Sequence, residues 1–206
     1  SSSLFEARLG FEEMGKEVHV YAPAYVEEEF DELLKYVDHI VFNSFAQWGK
    51  YRERVKAFSS STGKKIECGI RINPEYSEIQ TPIYNPCYKY SRLGVTLSAF
   101  RPDELEGIDG LHFHTMCEQN SDTLERTVKV VDEKFGKYIK GMKWLNLGGG
   151  HHITREDYDI DALVRSIMYF RDKYGVEIYL EPGEAVALNT GFLVSRVLDI
   201  VDNGMK

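Results

Sequence analysis

The chain has 206 residues, 43% of them hydrophobic and 28% charged, with a formal net charge of −8. That length suits one large domain or part of a bigger protein. The negative balance disfavours non-specific nucleic-acid binding and suits a cationic ligand. No apolar run approaches the ~20 residues of a membrane span, and the opening Ser1-Ser2-Ser3-Leu4-Phe5-Glu6 lacks the basic and apolar regions of a secretory leader. Three widely spaced cysteines, Cys68, Cys87 and Cys117, argue against a disulfide framework or a zinc knuckle and for a reducing, cytoplasmic setting.

Along the chain, strand and helix patterns alternate. Residues 17–21 (EVHVY) predict a strand. Residues 26–37 predict a helix, with Val26, Phe30, Leu33, Leu34 and Val37 on one face. A short strand over 39–43 (HIVFN) and a helix over 46–58 follow. Residues 65–72 (KIECGIRI) predict the next strand, and the Pro-, Asn- and Tyr-containing stretch 73–90 is long enough to be a functional loop. Residues 110–114 (GLHFH) predict a strand. A helix over 121–135 carries Leu124, Val128, Val131 and Phe135 on one face, with Ser121 as its cap. A strand over 143–147 (KWLNL) runs into Gly148-Gly149-Gly150, a helix over 159–174 is closed by Gly175, and a strand over 176–180 (VEIYL) runs into Glu181-Pro182-Gly183. The composition of 192–201 (FLVSRVLDIV) is that of a strand.

Strands separated by amphipathic helices indicate parallel βαβ units. Six strands would fill an open doubly wound sheet or most of a (β/α)8 barrel. Arg71, His114, the glycine run and Glu181 all fall at C-terminal ends of different strands. In a barrel those ends converge on one mouth; in an open sheet they spread, and a nucleotide-binding glycine turn follows an early strand. The expected class is therefore α/β with a TIM-type barrel, incomplete here.

The chemistry-bearing residues each admit a plain reading. Gly148–Gly150 can wrap an anion with backbone N–H groups or can be an ordinary turn. Glu181 can serve as acid, base, metal ligand or partner of a cationic ring, or be a solvated turn residue. His112 and His114 share one face of their strand, with Phe113 on the other, and either histidine can be a hydrogen-bonded core residue. His151-His152 is a poor metal pair, because adjacent side chains diverge. Cys117 can be an ordinary small buried residue.

Taken together, HTMCEQ at 114–119, LGGGHHIT at 147–154 and EPGEAV at 181–186 form an ordered set. It resembles the alanine-racemase-like decarboxylases that use pyridoxal phosphate, and within them the carboxynorspermidine (carboxyspermidine) decarboxylase branch. SSSLFE at the start, IYNPC at 83–87 and SRLG at 91–94 fit the same family. The resemblance implies decarboxylation of carboxynorspermidine or carboxyspermidine to norspermidine or spermidine in polyamine synthesis. It also implies a homodimer acting on a small cationic amino acid, without nucleic-acid or membrane partners. His114 would stack on the cofactor ring, Gly148, Gly149 and Gly150 would hold its phosphate, and Glu181 would pair with the pyridine nitrogen. Arg71 would lie near the phenolic oxygen, and Cys117 would stand where relatives place a serine near the phosphate. Many relatives read Glu-Pro-Gly-Arg with an arginine on the phosphate; here the fourth residue is Glu184, which with Glu118 is expected to meet a substrate ammonium group. The family's cofactor-bearing lysine lies upstream of the Ser-Ser-Ser stretch, and Lys16, Lys50, Lys56 and Lys143 do not take its place. Residues 1–191 are thus expected to be a partial barrel domain carrying strands 3–8 and residues 192–206 the start of a C-terminal β-domain, the chain alone being inactive. Diaminopimelate or ornithine decarboxylase on the same fold, or a catalytically inactive regulatory protein, are the alternatives.

Overall fold

The computed structural model describes residues 1–202 and Gly204. Six parallel strands form one continuous sheet: β1 (His19–Tyr21), β2 (His39–Phe42), β3 (Glu67–Asn73), then, after the two-residue β4 (Val95–Thr96), β5 (Gly110–His112), β6 (Trp144–Asn146) and β7 (Glu177–Tyr179). Their spatial order, β1-β2-β3-β5-β6-β7, follows the chain, and β4 pairs with the end of β3 off this path. A doubly wound sheet reverses direction at a switch point. This one does not, so it is the parallel half-barrel that the strand-end pattern predicts.

The helices are α1 (Leu4–Leu9), α2 (Phe30–Leu34), α3 (Phe45–Thr62), α4 (Ser121–Ile139), α5 (Ile160–Tyr174) and α6 (Gly183–Ala187). Ser44 caps α3 by accepting from the Gln47 N–H, Asp159 caps α5 through the Ala162 N–H, and Gly175 closes α5 at φ 71°. Among the described residues no helix is long and apolar enough to cross a membrane. The sheet's outer face, including Ile40, Phe42, Ile70, Leu111, Phe113 and Leu145, packs with Phe30 and Leu34 of α2, Tyr51 of α3 and Leu124, Val131 and Phe135 of α4 in one buried core. The inner face is more polar. Trp144 fills it over two strand glycines: a Cβ on Gly110 would sit 2.0 Å, and on Gly69 2.3 Å, from the Trp144 indole. Those glycines mark close approach inside the barrel rather than weak strands.

Three expectations change. The helix over 26–37 is a 3-10 turn at Glu27–Glu29 followed by the short α2, a 3-10 first turn being common at helix N-termini. Ser121 is not the cap of α4. Asn120 occupies the cap position without a side-chain bond, and Ser121 is buried as the first helical residue. Residues 192–202 form no strand; their apolar side chains are exposed, and β propensity without a paired edge does not make a strand. The opening stretch, not assigned an element from sequence, forms α1 capped by the Ser3 hydroxyl and continues as a π-helical turn over Gly10–Met14.

Phe135 is fully buried between α4 and the sheet. Phe135→Ala is expected to cost about 3–5 kcal/mol of unfolding free energy, read as a lowered midpoint at unchanged slope in denaturant titration.

Candidate active site

The C-terminal ends of the strands open into a cavity of about 1100 Å³. Its lining includes Tyr21, Arg71, His114, Cys117, Glu118, Gly150, Glu181 and Glu184, with Tyr84 and Pro86 from the 73–90 loop. The half-barrel thus brings most of the residues singled out from sequence to one cavity; Gly148, Gly149, His112, His151 and His152 are not on its lining.

Glu181 follows β7. Its Oε1 accepts from Asn146 Nδ2 at 3.0 Å, and its Oε2 lies 3.2 Å from His112 Nε2 and 3.9 Å from His114 Nδ1. Partial burial works to raise the Glu181 pKa; the interactions with His112 and His114 outweigh it and hold the carboxyl well below the usual range. His112 is fully buried and pushed down by that burial, so a neutral ring donates from Nε2 to the carboxylate. His114 is half-exposed in the cavity and its Nδ1 accepts from the Gly149 N–H at 3.2 Å. The two histidines therefore share one face, as the alternation demands, yet divide the work: His112 holds the carboxylate from below and His114 faces the open space. The His112, His114 and Glu181 donor atoms lie within 4.8 Å of one another, a spacing that could also hold a metal ion. Arg71 reaches under the same mouth, donating Nη2 to the His114 carbonyl at 3.1 Å and lying 4.6 Å from the Tyr21 ring centre.

The glycine run is constrained by its neighbours as much as by any ligand. Gly148 (φ 74°) donates to Asn146 Oδ1 at 2.8 Å, and a Cβ there would sit 2.4 Å from the Phe113 carbonyl. A Cβ on Gly149 would meet the Glu181 carbonyl at 2.4 Å, and one on Gly150 (φ 81°) the Met116 carbonyl at 2.2 Å. Three strand-end loops touch here through bare backbone, which only glycine permits. Gly150 alone of the three faces the cavity.

His151 and His152 diverge as expected. His151 is buried, and burial first, then His114, lowers its pKa to about 4. His152 turns toward Glu184 instead, with Nε2 2.8 Å from Glu184 Oε2. Among the described residues no lysine lines the cavity. Lys50 and Lys56 lie on α3, and Lys143 pairs with Asp109 just before β6. Sequence reasoning passed over Asn146, which bridges Glu181 to the glycine run, although its place two residues before Gly148 on an inward strand position was a usable signal.

No model of a protein family matches the chain. Among curated proteins it is 48% identical to a carboxynorspermidine/carboxyspermidine decarboxylase of Campylobacter jejuni, over 98% of this chain and 51% of that protein. It is 43% identical to a carboxyaminopropylagmatine decarboxylase of Synechocystis, with the same shares covered. A crystal structure of carboxynorspermidine decarboxylase from Campylobacter jejuni, complexed with norspermidine, superposes with a TM-score of 0.79 at 46% identity, covering 98% of this chain and 50% of that one. The chain is a homologue of the carboxynorspermidine decarboxylases. It spans about half the length of the curated relatives it matches. Diaminopimelate decarboxylase of Helicobacter pylori, at 17% identity and a TM-score of 0.65 over 90% of this chain, shares the fold. The half-barrel thus matches about half the length of these relatives.

Because the folded-state pKa of Glu181 is depressed, its ionised form adds stability above the ordinary glutamate range, about pH 4.3, and this is lost as pH falls through the folded value. The stability gap between the parent and Glu181→Gln is expected to be full at neutral pH and to narrow on acidification. Urea titrations at stepped pH check this; a gap constant down to about pH 3 would contradict it.

Proposed function

We propose that this chain forms the cofactor- and substrate-binding half of a pyridoxal-phosphate-dependent decarboxylase acting on a carboxylated polyamine of the carboxynorspermidine or carboxyspermidine type. The observation that carries the reading is Glu181: a carboxylate held ionised by its histidine and Asn146 partners on the lining of a cavity that also presents two further acids, Glu118 and Glu184.

The residues present fit the cofactor. An ionised acid on the lining suits a protonated pyridine nitrogen. The cavity exceeds the size of one such ring with a substrate attached, and Gly150, the glycine of the run on its lining, presents bare backbone there to an anion. Bound pyridoxal phosphate supplies the electron sink into which the bond to the departing carbon dioxide can break.

The chain's own residues do the rest. Glu181 keeps the ring nitrogen protonated, with its charge aimed by Asn146 and by the neutral His112. His114, its orientation fixed by the Gly149 N–H, would pack against the ring. Arg71, tied to the His114 carbonyl, would supply positive charge toward the ring's phenolic oxygen. Gly150 and Cys117, on the lining, would take the phosphate, while the bare backbone of Gly148 and Gly149 lets that loop approach closely. Glu118, at a left-handed φ of 52°, and Glu184 meet the substrate's distal ammonium groups. Completion of the enzyme takes a lysine and further residues beyond those lining this cavity, and the assembled state is a cytoplasmic homodimer.

Two outcomes test this on the complete enzyme. Carboxynorspermidine or carboxyspermidine is expected to have a higher kcat/KM than diaminopimelate in competition kinetics, and the reverse order would move the chain to another branch. Glu181→Gln is expected to lower kcat about a hundredfold, roughly 3 kcal/mol, while cofactor affinity by absorbance titration falls far less. The ring's charge matters most as negative charge develops. A variant decarboxylating at the parent rate would reduce Glu181 to a turn residue.

A further inference from the structure

Arg71 is a buried cation without an acid. The residue is 5% exposed at the end of β3. Its Nη2 donates to the His114 carbonyl at 3.1 Å, and among the described residues it has no carboxylate partner. A charge in such a place is costly unless something compensates it. Here an aromatic face does so: the guanidinium carbon lies 4.6 Å from the centre of the Tyr21 ring. Tyr21 is itself fixed. Its hydroxyl donates to Asn43 Oδ1 at 2.8 Å; the same oxygen accepts from the Gly94 N–H at 2.8 Å, and Asn43 Nδ2 donates to the Arg92 carbonyl at 2.9 Å. Gly94 in turn closes on the Arg71 stem, where a Cβ would come 3.1 Å from Cγ. Burial pushes the Tyr21 phenol up, against the pull of Arg71, so the ring carries no charge of its own. Both Tyr21 and Arg71 reach the cavity lining.

We infer that Tyr21 is a positioning residue whose ring holds the Arg71 guanidinium at the cavity wall, so that an uncancelled positive charge is presented to an anionic oxygen of the ligand. On the reading above that atom is the cofactor's phenolic oxygen. The inference rests on the proposed function and adds to it the residue through which Arg71 acts. A carboxylate in the place of Tyr21 would compensate the guanidinium and also cancel its charge toward a ligand. A neutral π face attracts the cation and leaves its net charge in place. The consequence has a sign. Positive charge beside a phenolic oxygen favours the ionised form. A guanidinium released from the ring regains rotamer freedom and spends less time at that position, so the ionised form appears only at higher pH.

The test is a double-mutant cycle on the complete enzyme with Tyr21→Leu, Arg71→Leu and both together, beside Tyr21→Phe. The readouts are the pH midpoint of the bound cofactor's absorbance change and cofactor affinity from the same absorbance. Tyr21→Leu is expected to raise the midpoint by about one pH unit, a roughly tenfold change in the ionisation equilibrium, and to weaken cofactor binding. Tyr21→Phe keeps the aromatic face and gives up the Asn43 bond, so it should recover most of the shift. The leucine at 21 should add little on top of Arg71→Leu. Tyr21→Met, unbranched and non-aromatic, takes the place of the leucine variant should that one not fold. An unmoved midpoint in Tyr21→Leu, an equal shift in Tyr21→Phe, or a shift undiminished in the Arg71→Leu background would overturn the inference. If the parent takes up no cofactor, or Arg71→Leu itself leaves the midpoint where it was, it is the proposed function's placing of Arg71 that fails, and the two failures are thereby told apart.

Discussion

A carboxylate drawn partly out of water must be met by donors, and meeting Glu181 organises this end of the barrel. Its two oxygens are served by side chains from two other strands, His112 on β5 and Asn146 on β6. Those two residues are direct partners in the β5–β6 register, and Asn146 faces Tyr179 across β6–β7. A slip of one residue in either pairing would turn the donors to the outer face among Leu111, Phe113 and Leu145 and leave the carboxylate unsatisfied. The charge and the register therefore support each other.

The same requirement explains the glycines. To bring the loops after β5, β6 and β7 to one carboxylate, their backbones must touch, and a methyl group at 148, 149 or 150 would overlap a neighbouring carbonyl. The glycine run is thus first a packing device, with Gly148 and Gly149 spending their N–H groups on Asn146 and His114. What remains for a ligand is concentrated at Gly150. The cavity lining carries three acids and one guanidinium, Glu118, Glu181 and Glu184 against Arg71, a charge distribution suited to a ligand with several positive groups.

The long helices and the strands were legible because burial imposes periodicity. Leu124, Val128, Val131 and Phe135 read as one face of a helix and are one face of α4. His112 and His114 read as neighbours across Phe113, and they are. Helix starts were less legible. Asn120 and Ser121 are both acceptable caps by residue type, and only the buried position of Ser121 separates them. The strand-like stretch 192–201 has the composition but not the pairing, and pairing depends on what lies alongside.

Local chemistry written in sequence order therefore determined the half-barrel, the convergence of Arg71, His114, Gly150 and Glu181 on one mouth, and the oddity of an acid at position 184. These follow from periods of 2 and 3.6 residues and from the rule that parallel strands end on the same side. Only the tertiary structure decided which histidine serves Glu181 and which faces the cavity, that Asn146 joins two loops, and that His152 turns toward Glu184. Those contacts join residues up to 69 positions apart. Their geometry is set by strand register and loop path, which single-residue propensities do not encode.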